Sequence, residues 1–202
     1  MKTIFSTTLI ALASAALLVQ GPACAATAKP AATTAAAPQL LAAQSELGFT
    51  SKQMGVPVDG RFKHFDAQLS FDPKKPEAGK VSFNIELASV SLGDPAFDGE
   101  LAKPAWFDSK KLPQASFQSS AIKALGGGRF EVAGKLNIKG QARDVVVPLS
   151  LAQAGATTTA SGGFVLKRLE FKIGDGEWAD TSMVANDVQV KFKLAFSGVA
   201  PL

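Results

Sequence analysis

The chain has no tyrosine, a single histidine (His64) and a single cysteine (Cys24). Each scarcity removes a class of chemistry. One histidine cannot build a multi-histidine metal site, and one cysteine cannot close an internal disulfide. No G-x-S-x-G elbow is present to pair a serine with His64, and no phosphate-binding loop stands out. Gly134-Lys135 runs on into Leu136, and Gly126-Gly127-Gly128-Arg129 opens a strand rather than a helix. Strong charge of one sign is also missing. The formal net charge is +4, with Lys and Arg spread along the strands, which is not the footprint of a nucleic-acid binder. These absences leave the catalytic inventory thin: they assign no catalytic residue, no metal ligands and no cofactor.

Apolar side chains are plentiful. Hydrophobic residues make up 47% of the 202, enough for a sizeable core in one domain plus a leader. With 14 Phe and 2 Trp, the aromatics are almost purely apolar, able to fill an interior or to line a greasy cavity.

The leader is legible. Met1-Lys2 is a short positive start, Ile4 to Val19 is apolar or small, and Ala23-Cys24-Ala25 is a small-x-small cleavage signal. Residues 1–25 are therefore expected to be a secretory signal peptide whose removal takes Cys24 with it. The alternative is a lipoprotein anchored through an acylated Cys24, for which Gly21-Pro22-Ala23 is a poor preceding motif. Residues 26–40, rich in Ala, Thr and Pro, are expected to form a disordered linker, leaving 41–202 as the folded domain.

That domain reads as strand after strand. From Asp187 to Ser197, Val188, Val190, Phe192, Leu194 and Phe196 alternate with Gln189, Lys191, Lys193 and Ala195. A period of two buries one face of a strand. Similar runs cover Val81 to Leu87, Phe130 to Ile138 and Val145 to Leu151, with turn signals between them. Gly55 to Val58 reads as a break, and Gln153 to Gly163 as a small-residue turn whose tail becomes strand. Leu169, Phe171 and Ile173 then continue that strand. The alternation slips parity at Lys63-His64 and again between Leu87 and Val90, as bulges or bends do. The pattern predicts an all-β, antiparallel barrel of about eight strands, sealed by the Asp187–Ser197 strand.

One insert interrupts the strands. Asp94-Pro95 is a helix start, Ala96, Phe97, Leu101 and Ala102 have helical spacing, and Pro104 ends the run before Ala105-Trp106-Phe107-Asp108. This short helix and loop is expected to cover one end of the barrel. Polar candidates are few. His64 beside Lys63 and Asp66 is read as a surface histidine, and Asp175, Glu177, Asp180 and Asp187 as solvated loop acids.

The strongest signal is the phenylalanines. Phe49, Phe62, Phe65, Phe71, Phe83, Phe117, Phe130, Phe164, Phe171, Phe192 and Phe196 all fall in expected strands. A barrel of this size either fills with side chains or holds one small ligand, and periodicity leaves both open.

Several segments in order carry a resemblance: Val58-Asp59-Gly60-Arg61-Phe62 with Phe65, Leu69-Ser70-Phe71-Asp72-Pro73, Trp106-Phe107-Asp108, Leu112-Pro113 with Ser116-Phe117, and Val132 to Gly140. Together with Lys167-Arg168-Leu169-Glu170-Phe171, they resemble the YceI-like polyisoprenoid-binding proteins. The chain departs from that pattern at Lys172, where the family often has Gly, and at Leu169-Glu170. The resemblance implies a lipocalin-like barrel in the periplasm that holds a long isoprenoid or fatty-acyl lipid and performs no catalysis. With the strand phenylalanines read as a tunnel lining and Trp106, Phe107 and Arg168 added by the resemblance, the expected ligand-binding set is Phe49, Phe62, Phe65, Phe71, Phe83, Phe97, Trp106, Phe107, Phe117, Phe130, Phe164, Arg168, Phe171 and Phe192. Arg61 and Arg168 would stand near the barrel mouth or the ligand head, with Trp106 and Phe107 in the cap. A filled-core domain partnered with a membrane redox protein is the competing reading. The leader yields a direct expectation: intact-mass measurement of the exported protein should place its N-terminus at Ala26, whereas a mass retaining an acylated Cys24 would select the lipoprotein form.

Overall fold

A computed structural model describes residues 37–202. The expected signal peptide, Cys24 and most of the expected linker lie outside the described residues. Eleven strands form one antiparallel sheet that closes on itself as an eight-staved barrel. The number falls from eleven to eight because the first three staves are each broken by a kink. Strands β1 (Gln39–Leu40) and β2 (Glu46–Gln53) form one stave, and β3 (Val56–Phe62) and β4 (Phe65–Ser70) the next. The third is β5 (Lys80–Glu86) with β6 (Val90–Ser91), followed after helix α1 (Pro95–Leu101) by β7 (Gln114–Gly126) and β8 (Arg129–Ile138). The last three staves are β9 (Gln141–Ala154), β10 (Thr157–Lys167) and β11 (Asp187–Ser197).

Closure rests on β11. One edge pairs with β10 along its whole length, from Lys167↔Asp187 to Thr157↔Ser197. The other edge is shared: β2 takes Gln189 to Lys193, and β1 takes Phe196 and Ser197. Gln39 pairs with both Ser197 and Gln68, so β1 closes the ring between β11 and β4. This corrects the linker boundary, since Gln39 and Leu40 belong to the barrel. Two residues are too few to show a period, so composition grouped them with the tail.

The parity slips are real kinks. At Lys63-His64 the chain bends between β3 and β4. The bend is tied to the next stave by Lys63 N–H and His64 N–H donating to Ser89 O and Oγ, at 3.1 and 3.0 Å. A turn of 3-10 helix over Leu87–Ser89 makes the second slip. The mixed parity of β7 comes from register shifts at Ser119/Ala121 and Ala124/Gly126.

Other expectations change. Gln153 to Gly163 is the β9–β10 hairpin, turning only at Gly155-Ala156. Its small residues are strand residues whose partners need the room. Pro57 does not break the chain but pairs with Lys52. It is tolerated because β6 reaches only Arg61 and Phe62, leaving β3 a free edge beside Pro57. The break is the two-residue turn Met54-Gly55, with φ of 48° and 81°, the primed turn that suits strand twist. Arg168–Phe171 is a 3-10 turn rather than continued strand, and Phe71 lies just past the end of β4.

Glycines let the phenylalanines lie against the wall. Gly60 faces Phe49, and Gly162 faces Phe192, as cross-strand partners. A Cβ on Gly60 would collide with the Phe49 ring, and one on Gly162 with the Phe192 ring and the Pro148 carbonyl. Each ring thus covers its partner's Cα instead of reaching across the lumen. Gly60→Ala should therefore swing the Phe49 ring inward and lower stability by about 1–3 kcal/mol. Thermal unfolding checks the cost, and an unchanged Tm would refute the ring-on-glycine packing.

Candidate functional site

Inside the barrel the inward-facing rows pack together at a waist and leave space on either side of it. A cavity of about 510 Å³ occupies the end covered by α1, and a second of about 160 Å³ lies toward the other end. They share Leu47, Ile85, Leu136, Phe164 and Val190, which form the waist between them. The interior is therefore not solid side-chain packing. The whole inward row of β11 borders the space, with Val188 and Val190 on the larger chamber and Val190 to Phe196 on the smaller. This explains why Val188, Val190, Phe192 and Leu194 are only half-buried despite pointing inward.

Most expected ligand-binding residues border these chambers. Phe49, Phe62, Phe97, Trp106, Phe107 and Arg168 line the larger, Phe71, Phe83, Phe117, Phe130 and Phe192 the smaller, and Phe164 both. Phe65 and Phe171 do not. Phe65 follows the kink and packs on Phe83, ring centroids 5.5 Å apart. Phe171, in the 3-10 turn, is 2% exposed and belongs to the solid packing with Leu87 and Ile173. Alternation placed it inward, but the turn takes it out of the strand. Arg61 is exposed on the outer face of β3, opposite in parity to Phe62, and borders neither chamber.

The cap is built from two connections. In α1, Asp94 caps the N-terminus by accepting from Ala96 N–H at 2.8 Å, with Pro95 at the first helical position. Asp98 accepts from Leu92 N–H at 2.6 Å, anchoring the helix to the residue that follows β6, and that hydrogen bond holds its carboxyl below the usual carboxylate range. Ala96, Phe97, Glu100 and Leu101 face the larger chamber. Phe49, Phe62 and Phe107 form an aromatic run from β2 to the cap, with successive centroids 5.7 and 5.9 Å apart. Phe97 both borders the chamber and is 60% exposed, which marks the mouth.

The second connection is the loop between β10 and β11, and Arg168 organises it. Its side chain is 1% exposed without a carboxylate partner. Nε donates to Ala185 O, one terminal nitrogen to Ile173 O and Gly174 O, and the other to Trp178 O and Val184 O. A guanidinium has five N–H donors, and here five backbone carbonyls use them. Burial pushes its pKa down from the usual value. The expected role at a ligand head is therefore corrected: no donor is left for one. The loop in turn holds the insert through Gly174 N–H and Asp175 N–H, which donate to Ala105 O at 2.8 and 3.1 Å.

Trp178, in the connection between β10 and β11 and not among the expected binding residues, is a lining residue. It packs against Trp106 with centroids 5.4 Å apart. The signal was a large indole among Gly, Asp and Glu. Ile173 and Val184 from the same loop also line the chamber. The polar candidates serve local structure. His64 Nδ1 lies 3.1 Å from Glu86 Oε2 at the surface, and Asp180 caps its own turn through Ser182. Asp175 approaches Lys139 at 3.6 Å, and Asp187 pairs with Lys167 at 3.1 Å.

Comparison with known proteins agrees with this architecture. Residues 39–196 match the YceI-like domain family. The chain is similar to the crystal structure of Burkholderia cenocepacia BcnA, with 48% identity and a TM-score of 0.75, covering 77% of this chain and 98% of that one. It also shares the fold of a polyisoprenoid binding domain from Saccharophagus degradans implicated in plant cell wall breakdown. The TM-score there is 0.67 at 18% identity, over 80% and 98% of the two chains. A UPF0312 protein of Azotobacter vinelandii is 35% identical over 88 residues, 44% of this chain, and the match spans only 46% of that relative's length.

Replacing Arg168 should expose how much the cap depends on it. Arg168→Met leaves five carbonyls without their donor, a loss on the order of 3–5 kcal/mol. Denaturant unfolding should show it as a lower midpoint, and a loss below about 1 kcal/mol would refute the hub.

Proposed function

The chain belongs to the YceI-like domain family, and from that membership and the hollow barrel we propose that it is a periplasmic carrier of a long-chain amphiphilic lipid. The observation that carries the reading is the pair of apolar chambers in line, of about 510 and 160 Å³, with Phe97 at an open mouth. The larger falls in the range of small-molecule sites. The smaller is lined by hydrocarbon side chains apart from Thr158. Such a wall has little to offer a sugar or a nucleotide and everything to offer a hydrocarbon tail, at about 25 cal/mol for each Å² removed from water.

A tail entering past Phe97 fills the larger chamber first and reaches the smaller only by parting the waist at Leu47, Leu136 and Phe164. The waist favours a slender flexible chain over a rigid fused-ring lipid. The Saccharophagus domain's description as polyisoprenoid binding makes an isoprenoid the first ligand to try, with fatty acyl chains next. The leader supports export. The reading assigns no catalytic step: the barrel holds its guest and releases it unchanged.

Native mass spectrometry of the purified protein tests this. The expected spectrum carries a co-extracted lipid, or takes up added polyprenol or fatty acid. An apo mass that neither ligand shifts would defeat the carrier reading.

A further inference from the structure

Exposure places the entrance to the larger chamber. Of the residues that line it, Gln53, Ala96 and Phe97 are exposed, and the rest are buried or half-buried. Gln53 ends β2, and Ala96 and Phe97 stand in the first turn of α1. Next to them the barrel wall is not closed by strands. β6 pairs only with Arg61 and Phe62, so the edge of β3 from Val56 to Gly60 has no strand on that side. That much strand leaves a slit about 16 Å long. Beyond β6 the chain runs through Leu92, Gly93 and Asp94 into α1, and Val58 lines the same chamber as Ala96, Phe97 and Glu100. The helix thus covers the stretch that β6 leaves open.

The two sides of the slit are held very differently. On the hairpin side, β2 and β3 share a ladder from Leu47↔Phe62 to Gln53↔Val56. The β10–β11 loop pins its tip again. Met54 N–H donates to Met183 O at 2.8 Å, Ala185 N–H donates to Lys52 O at 2.9 Å, and Gln53 bridges Val184. On the other side, α1 has seven residues, too few to be stable without packing, and Leu101 is the one it buries. Leu101 seats the C-terminal end, and its carbonyl accepts from Phe107 N–H at 3.0 Å. Among the described residues, the side-chain hydrogen bonds of the helix stay within its own insert. They join Asp94 to Ala96, Asp98 to Leu92 and Glu100 to Lys103, and none crosses the slit. One side is therefore fixed by backbone ladders, and the other by a buried leucine and one carboxylate.

We propose that guests enter and leave through this slit, that α1 is its moving side, and that Asp98 is the positioning residue that holds the helix in place. This rests on the carrier reading and adds to it a route and the groups that control passage. Opening tilts the first turns of α1 away from β3 about the seated Leu101. The Asp98–Leu92 hydrogen bond breaks, and a tail passes between Phe97 and Val58 while the β2–β3 hairpin stays where it is. A gate of this kind sets how fast a guest crosses in both directions, whereas a wall contact sets how long a bound guest stays.

The test follows uptake and release by stopped-flow fluorescence with two probes that brighten in apolar surroundings, cis-parinaric acid for fatty acyl chains and retinol for isoprenoids. In one arm Gln53→Cys and Ala96→Cys are introduced together into the exported protein and joined by a flexible bismaleimide. Cys24 does not compete, since cleavage removes it and acylation blocks it. The link should slow uptake and release about tenfold or more relative to the same variant left unlinked. In the other arm Asp98→Ala should speed uptake and release together about two- to tenfold, the weight of one hydrogen bond, with Kd almost unmoved. Asp98→Asn keeps an oxygen for Leu92 N–H and should restore most of the original rates. Rates indifferent to the link would overturn the route. Rates unchanged in Asp98→Ala, or faster release alone with a matching loss of affinity, would overturn the gate, the latter showing that Asp98 only supports the chamber wall. Each of these results requires a bound probe and leaves the carrier reading standing. Failure of both probes to bind the unmodified protein would defeat the carrier reading and this inference together.

Discussion

A barrel that keeps a chamber on either side of a packed waist leans heavily on its wall. Most domains of this size draw their stability from side chains meeting at the centre, where close packing supplies dispersion as well as burial. Here the inward rows pack together only at the waist and leave a chamber on either side, where the lining forgoes part of that packing. What remains is an unbroken ring of backbone hydrogen bonds, and β11 is where the ring is made. Its two edges engage β10 on one side and β2 and β1 on the other, so no edge is left along that seam. Gln39, bonded to both β11 and β4, completes the circuit with two residues of strand.

The wall also explains the odd partnership of glycine and phenylalanine. A Phe ring standing out from a stave would block the lumen, whereas a ring laid over a cross-strand glycine gains contact with backbone and leaves space in front of it. Gly60 with Phe49 and Gly162 with Phe192 work this way on opposite sides of β2 and β11. The aromatic content is therefore large without the interior being full.

At the capped end, stability and ligand contact are divided between different side chains. Arg168 spends its whole donor capacity on carbonyls of one irregular loop, where a regular ladder is not available to satisfy them. The loop thus held carries Trp178 to Trp106 and receives Ala105 from the insert. The cation in the cavity wall thus stabilises the fold, while the apolar side chains around it line the chamber.

Alternation in β5, β8 and β11 made the all-β class and the closing strand legible, because a period of two depends only on which side of a pleat each residue occupies. The kinks at Lys63-His64 and Leu87–Ser89 were legible as parity slips for the same reason. The insert was legible from Asp94-Pro95 and Pro104, whose effects on the backbone are local. Periodicity could not separate a solid core from a hollow one: Phe83 alternates identically whether it meets another ring or open space. Nor could it show that Phe171 turns out of the strand, or that five carbonyls distant in sequence converge on Arg168. Those outcomes depend on the distance between opposite walls and on where a loop is drawn once the ring has closed, and only the tertiary structure decides them.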